Sequence, residues 1–272
     1  GKPATFELSL PAPAIQVRED GESKSAESEM QFKAVAYVPE FDDKGQVEGV
    51  HVVISDITDR KRRELDLSFR AELVESFSRL ATADEIADLA TRKVAEHFSA
   101  DRCLLAEVDL SENVAMVKHE FRKTDDLPGL IGRHTLDQYP MPDESRSSRD
   151  GQRLQIDDIG PGGRLPGKMA GFDAFGLQSF ANGCYIINDN QRLTLTVLKS
   201  NPYRWKDSEI EFLDELATAI YLRLDRAQTE AELHASDNFN RTVLASSPDC
   251  VKVLDSEGRL LMMNEPGLAL ME

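Results

Sequence analysis

The sequence is short of positive charge: 32 Lys and Arg stand against 49 Asp and Glu, a net charge of −17 over 272 residues. Affinity for phosphate backbones and anionic headgroups is normally supplied by basic side chains, so nucleic acid and membrane surfaces are not expected partners. Long apolar runs are missing too. No stretch approaches the ~18 residues that span a bilayer, and the amino terminus lacks a basic-then-apolar leader pattern. Cysteine is scarce. Cys103, Cys184 and Cys250 are odd in number and far apart, which predicts a reducing, cytoplasmic setting rather than a disulfide framework. The chain also lacks an initiator methionine and starts and stops in mid-pattern, so a piece of a longer protein is expected. Finally, there is no Gly-x-Ser-x-Gly elbow, no His-Glu-x-x-His and no paired metal-ligand spacing among His51, His97, His119, His134, His234 and the cysteines, and catalysis by this segment is not expected.

What is present is a normal globular composition, 40% hydrophobic with charges interspersed, in a chain long enough to bury a core. Phe6–Leu10 is one short apolar stretch, followed by prolines and a charged run over 18–29. Gln31–Tyr37 and the β-branched Val47–Ile54 flank the turn residues Asp42-Asp43-Lys44-Gly45 and predict a hairpin. Asp56-Ile57-Thr58-Asp59 then opens a helix, with Thr58 as expected N-cap and the basic run 60–63 as a solvated helix start. Phe69, Leu73, Phe77 and Leu80 recur at helical spacing up to about residue 80. Thr82-Ala83-Asp84-Glu85 is the signature of a second capped helix, reaching His97. Alternating segments predict hairpins at Cys103–Leu110 with Val114–Phe121, and at Phe180–Ile187 with Leu193–Leu198. Lys206 to about Leu244 can form one long helix, and Cys250–Asn264 reads as strand, turn, strand.

Between the two central hairpins, 123–176 holds five prolines (Pro128, Pro140, Pro142, Pro161 and Pro166) and many glycines. Long irregular stretches inside compact domains are commonly functional. Gly162-Gly163-Arg164-Leu165-Pro166-Gly167-Lys168 has phosphate-loop spacing, but Met169 follows where a Mg²⁺-binding hydroxyl belongs, and a simple loop is expected.

Three resemblances follow from particular residues. Tyr37, Pro39, the turn at 43–45, Gly49 and Asp56-Ile57-Thr58-Asp59-Arg60-Lys61-Arg62 resemble the carboxy-terminal half of a PAS domain handing over to a signalling helix. Phe239, Leu244, Ser247-Pro248, Val251, Asp255, Gly258 and Asn264 resemble the start of another. Between them 69–227 resembles a GAF domain, carried by Asn201-Pro202-Tyr203-Arg204-Trp205-Lys206-Asp207 with Glu209, Phe212 and Leu213. It departs from the family at Leu193-Thr194-Leu195, where a glycine is frequent, and it lacks the Asn-Lys-Phe-Asp-Glu run of cyclic-nucleotide binders.

The expected fold class is therefore α+β: a central GAF-like antiparallel sheet with helices on one face, flanked by partial PAS β-hairpins and long signalling helices. The expected boundaries are 1–57 for the PAS half, 58–80 and 228–245 for linker helices, 69–227 for the GAF-like domain and 246–272 for the second PAS start. The resemblance implies the sensory region of a bacterial sensor histidine kinase, in which a small molecule or partner alters a pocket and the long helices of a homodimer relay the change. A parent ending in a diguanylate cyclase or phosphodiesterase, or an unliganded structural spacer, are the alternatives.

His119, Phe121, His134, Tyr139, Phe180 and Cys184 are the expected ligand-lining residues, with no cofactor identity or metal implied. Cys184 fits a small core residue, or a thioether anchor of the kind bilin-binding GAF domains use. Ile210, Leu213, Ala217, Ile220 and Leu224 form an apolar stripe expected to meet a second subunit, beside a second stripe of Phe212, Leu216, Ala219 and Leu222. His119-Glu120-Phe121-Arg122 resembles a phosphoacceptor box. A phosphoacceptor belongs on an exposed helix, whereas Val117, His119 and Phe121 are expected to share one face of a strand.

Overall fold

The computed structural model describes residues 4–11, 30–126, 128–136, 154–158, 177–247 and 249–269. The chain divides into two compact units, Gly1–Glu72 and Leu73–Glu272. Among the described residues no helix is long and apolar enough to cross a membrane.

In the first unit, β1 (Ala4–Pro11), β2 (Met30–Phe41) and β3 (Val47–Asp56) make a three-stranded antiparallel sheet in that order. The expected hairpin is thus its β2–β3 part, and β1 adds a strand along the other edge of β2. The β2–β3 turn is held by the Asp42 carboxylate, which accepts from the Lys44 and Gln46 amides at 2.9 and 2.7 Å. Gly45 closes it at φ +75°, a conformation that costs glycine little. Helix α1 (Thr58–Phe77) follows directly. Thr58 does not cap it as expected. Its hydroxyl accepts from the Phe32 amide at 2.9 Å, so it ties the helix start to β2. The basic run is also partly engaged, since Arg60 and Lys61 both reach Glu7, at 2.7 and 2.6 Å.

In the second unit, α2 (Ala83–His97) begins with the expected cap, which takes the form of a capping box: the Glu85 amide donates to the Thr82 hydroxyl, and the Glu85 carboxylate accepts from the Thr82 amide. A six-stranded antiparallel sheet follows in the order β6-β5-β4-β9-β8-β7, from β4 (Arg102–Asp109), β5 (Val114–Arg122), β6 (Gly132–Thr135), β7 (Leu154–Ile156), β8 (Ser179–Ile186) and β9 (Gln191–Lys199). Joining β4 to β9 at the centre merges the two predicted hairpins into one sheet. Helix α3 (Asp207–Ser246) is 40 residues long, about 60 Å at the α-helical rise. It is followed by a hairpin of β10 (Lys252–Leu254) and β11 (Leu260–Met263) and a short α4 (Glu265–Ala269). Asn264 knits this last piece together. Its side chain donates to the Leu244 and Asp249 carbonyls and accepts from the Val251 and Gly267 amides.

Helices α2 and α3 cover one face of the sheet. Ile86, Ala90 and Val94 of α2 are buried there, together with Leu213, Leu216, Ala217 and Ile220 of α3. The phenyl ring of Phe212 meets His97 at 5.4 Å between ring centroids where the two helices touch. This burial overturns the expected subunit interface. Ile210, Leu213, Ala217 and Ile220 are 0–5% exposed within the single chain, and Leu224 is half-buried. A stripe that wide needs cover from two directions, and the chain's own sheet and α2 supply both. The neighbouring stripe is split: Phe212 and Leu216 are buried, Ala219 is half-buried and Leu222 is exposed.

Candidate functional site

Side chains alternate between the two faces of a strand, so the ladder register assigns each residue of the sheet to a side. Cys103 and Leu105 of β4, Ala181, Gly183 and Tyr185 of β8, and Leu195 and Val197 of β9 are registered together and face the helices. Three contacts anchor that side. Tyr185 stacks on Tyr221 of α3 at 4.1 Å. A Cβ on Gly183 would strike the α3 backbone at Leu213 and Asp214. The Cys184 amide donates to the Asp214 carboxylate at 2.9 Å.

The opposite face carries a separate apolar cluster. Leu104, Ala106, Val117, Ile156, Phe180 and Leu198 are buried together there with Leu130 and Leu177. Polar groups are interleaved with them by register: Arg102, Glu120, Thr194, Asn182 and Cys184. Apolar walls with a few placed polar groups are the usual make-up of a small-molecule site.

The predicted lining residues divide between these two faces. Phe180 lies in the cluster, and Cys184, half-buried, shares its side of β8. His134 of β6 lies opposite Ala115, two positions from the Val117–Gly132 pair, and so belongs to the same face. Its Nε2 donates to the Leu130 carbonyl at 2.7 Å. Tyr139 lies outside the described residues, as does the phosphate-loop-like run 162–168. His119 and Phe121 are elsewhere. They pair with Leu105 and Cys103 and therefore face the helices, and His119 Nδ1 sits 2.9 Å from Asp88 of α2.

The cause is a β-bulge. Leu105 pairs with His119 but Ala106 pairs with Val117, which leaves Lys118 as an extra residue. The alternation expected to join Val117, His119 and Phe121 on one face is broken between the first two. His119 does occupy a strand, as the sequence predicts. It lines an open groove of about 620 Å³ between α2 and the β5–β6 edge, together with Asp84, Asp88, Met116, Lys118 and Ile131.

The strongest polar feature of the cluster face was not singled out from the sequence. Arg102 and Glu120, 0% and 2% exposed, form an ion pair at 2.9 Å. Arg102 Nη1 also donates to the Pro128 carbonyl at 2.8 Å, and Glu120 Oε2 accepts from the Leu130 amide at 3.0 Å. Burial holds the guanidinium pKa below its ordinary value. Local pattern gave no signal for it: Arg102 precedes the strand expected at Cys103–Leu110, and alternation with Val117, His119 and Phe121 puts Glu120 on the opposite face of its strand. Only the ladder, in which Arg102 pairs with Arg122 and Leu104 with Glu120, brings the two charges together. On the helix face, burial pushes the Cys103 thiol far above its ordinary pKa, so that group is chemically inert. Among the described residues no group of acidic, His and Cys side chains is arranged to hold a metal ion.

No protein-family model matches the sequence, and no curated protein matches it either. Solved structures do share the fold. The bacteriophytochrome from the photosynthetic bacterium R. palustris aligns with a TM-score of 0.52 at 12% identity, over 79% of this chain and 48% of that one. The phycocyanobilin-bound GAF domain from a cyanobacterial phytochrome aligns at 0.48 and 16%, over 62% of this chain and 97% of that one. The GAF domain from an Acinetobacter phosphoenolpyruvate-protein phosphotransferase aligns at 0.44 and 15%, over 61% and 95%. At such identities the likeness is one of fold, and the fold is that of a GAF-like α+β sheet domain. The chain spans about half the length of the bacteriophytochrome, the structure it matches with the highest of these three scores.

Proposed function

We propose that this chain is the sensory and relay region of a larger cytoplasmic signalling protein, in which the sheet face opposite α2 and α3 receives a small molecule. One observation carries the reading. Among the described residues, α2 and α3 cover one side of the six-stranded sheet, while the other side presents a buried apolar cluster interleaved with polar groups. Phe180, Cys184 and His134 are the proposed lining residues from the original set, and Arg102 and Glu120 join them. The solved phytochrome GAF domain that shares the fold holds a bilin. Cys184, half-buried on this face, is the residue to watch for such a chromophore.

On this reading, ligand packing against the cluster shifts the sheet relative to α3, and the change travels along α1 and α3 to neighbouring domains. The flanking pieces 1–57 and 246–272 are read as halves of PAS domains, joined to the GAF-like 69–227 by helical linkers at 58–80 and 228–245. The proposed output is a histidine kinase, with a diguanylate cyclase or phosphodiesterase as the alternative parent. A homodimer is retained with a relocated interface. Residues 228–243 of α3 are exposed on every side, and Leu233, Phe239 and Val243 are the apolar groups there for a second copy's helix to cover.

The test is native mass spectrometry with an absorption spectrum of the purified chain. A bound small molecule, or a visible band that leaves with it, is the expected outcome. Bare protein, together with a saturation screen in which no small molecule binds, would sink the sensor in favour of a spacer. The length of α3 is the observation that favours that second reading.

A further inference from the structure

The buried guanidinium of Arg102 has more donors than the described residues around it have acceptors for. Of its guanidinium nitrogens, Nη1 serves Glu120 and Pro128. Nε and Nη2 are buried and have no hydrogen-bond partner among the described residues. These two N–H groups project from one edge of a planar fork, spaced to meet two oxygens of a carboxylate or phosphate. Leaving them unmet in a dry interior is costly, more so because the group is charged.

Glu120 cannot serve that second edge. Its Oε1 is taken by Nη1 and its Oε2 by the Leu130 amide. Arg122, paired with Arg102 across the ladder, adds a second guanidinium 3.7 Å from Glu120. The cation is thus only partly neutralised, inside a chain whose net charge of −17 repels anions in general. Leu104 and Leu198 flank the pair on the same face, so an oxyanion reaching Arg102 would have apolar cover for an attached hydrocarbon.

We infer that the Nε–Nη2 edge of Arg102 is an anion subsite of the proposed ligand face, made to take one carboxylate or phosphate group, with Glu120 as the positioning residue that holds the fork. The inference rests on reading that face as the ligand face, and it adds a chemical class: the ligand is an anionic organic molecule. Arg serves here where Lys would not, since a single ammonium cannot present a two-pronged edge.

The experiment follows thermal unfolding of the whole chain in inorganic phosphate and, separately, in acetate, each against sodium chloride at matched ionic strength. A saturable rise in Tm beyond the chloride control is expected for the unaltered chain and for Arg226→Gln, an exposed control. In Arg102→Met the midpoint of the rise should move at least about tenfold higher or vanish, the loss of a charged hydrogen-bonded contact. Should that variant not fold, Arg102→Lys keeps the charge, loses the fork and decides in its place. No rise beyond chloride, or the same midpoint in the Arg102 variant as in the unaltered chain, overturns the inference. An organic ligand that binds Arg102→Lys unchanged leaves the sensor reading standing and removes the anion subsite. An Arg102-dependent anion response in a chain that binds no organic molecule does the reverse.

Discussion

Gly183 and Leu213 occupy a close approach that no other residue type would permit. A Cβ on Gly183 would overlap the Leu213 carbonyl group and come within 2.5 Å of the Asp214 amide nitrogen. The neighbouring Cys184 amide donates to the Asp214 carboxylate. Strand β8 and helix α3 are therefore joined backbone to backbone, and any shift of one is felt by the other.

Gly183→Ala should consequently destabilise the chain by about 2 kcal/mol or more, since overpacking against rigid backbone forces the elements apart. Chemical denaturation measures it. A change within 0.5 kcal/mol, the range of neutral surface substitutions, would mean the seam is looser than described.

The capping box of α2 sets a pH dependence. Hydrogen bonds to Glu85 from Thr82 and Ala81 hold its carboxyl below the ordinary 4.5. A depressed folded-state value stabilises fully above the unfolded pKa and is lost as pH falls through the folded one. The stability gap between the unaltered chain and Glu85→Gln should therefore be constant at neutral pH and close in acid below about 4.5. A gap that widens in acid would contradict the sign. Thr82→Ala should cost about 1 kcal/mol, the usual value of an N-cap side chain.

The three cysteines should react in order of exposure. Cys250 is exposed, Cys184 is half-buried, and Cys103 is buried with its thiol pKa pushed up. Alkylation followed by peptide mass analysis should label Cys250 first and Cys103 only after unfolding. Early labelling of Cys103 would show that β4 opens locally.

Ile220→Glu and Leu233→Glu separate the core of α3 from its exposed end. Ile220 is fully buried and Leu233 is 62% exposed. The first variant should lose on the order of 4 kcal/mol, because it buries a charge with no partner. The second should unfold like the unaltered chain yet sediment at lower mass, if the helix end pairs with a second copy. Sedimentation of the unaltered chain as a monomer at high micromolar concentration would remove the dimer.

Local pattern was sufficient for α2, α3 and the paired strands of the second unit, but not for β6 and β7, which lie in the stretch expected to be irregular, or for the short α4. The Thr82–Glu85 box, the alternation through Cys103–Leu110 and the unbroken helical run after Lys206 each specify their structure from residues a few positions apart. Hydrophobic periodicity also separates inward from outward positions, but it cannot say what covers them. Ile210, Leu213, Ala217 and Ile220 were legible as a buried stripe and illegible as to partner. The same apolar side chains suit a second subunit or the chain's own sheet, and only the packing of α3 on β8 and α2 chose the latter.

The candidate site divides the same way. By itself the sequence determined an α+β chain with two helices, paired hairpins, a long third helix and a last hairpin, because turns, caps and periodicity act over a few residues. The tertiary structure decided which side of the sheet each residue serves. One extra residue, Lys118, turned His119 toward Asp88 and left Val117 with Leu104, a change of face that strict alternation cannot anticipate. It also decided that Arg102 and Glu120, 18 positions apart, meet in the interior. Whether a charged residue is solvated or buried depends on what the rest of the chain stacks over it.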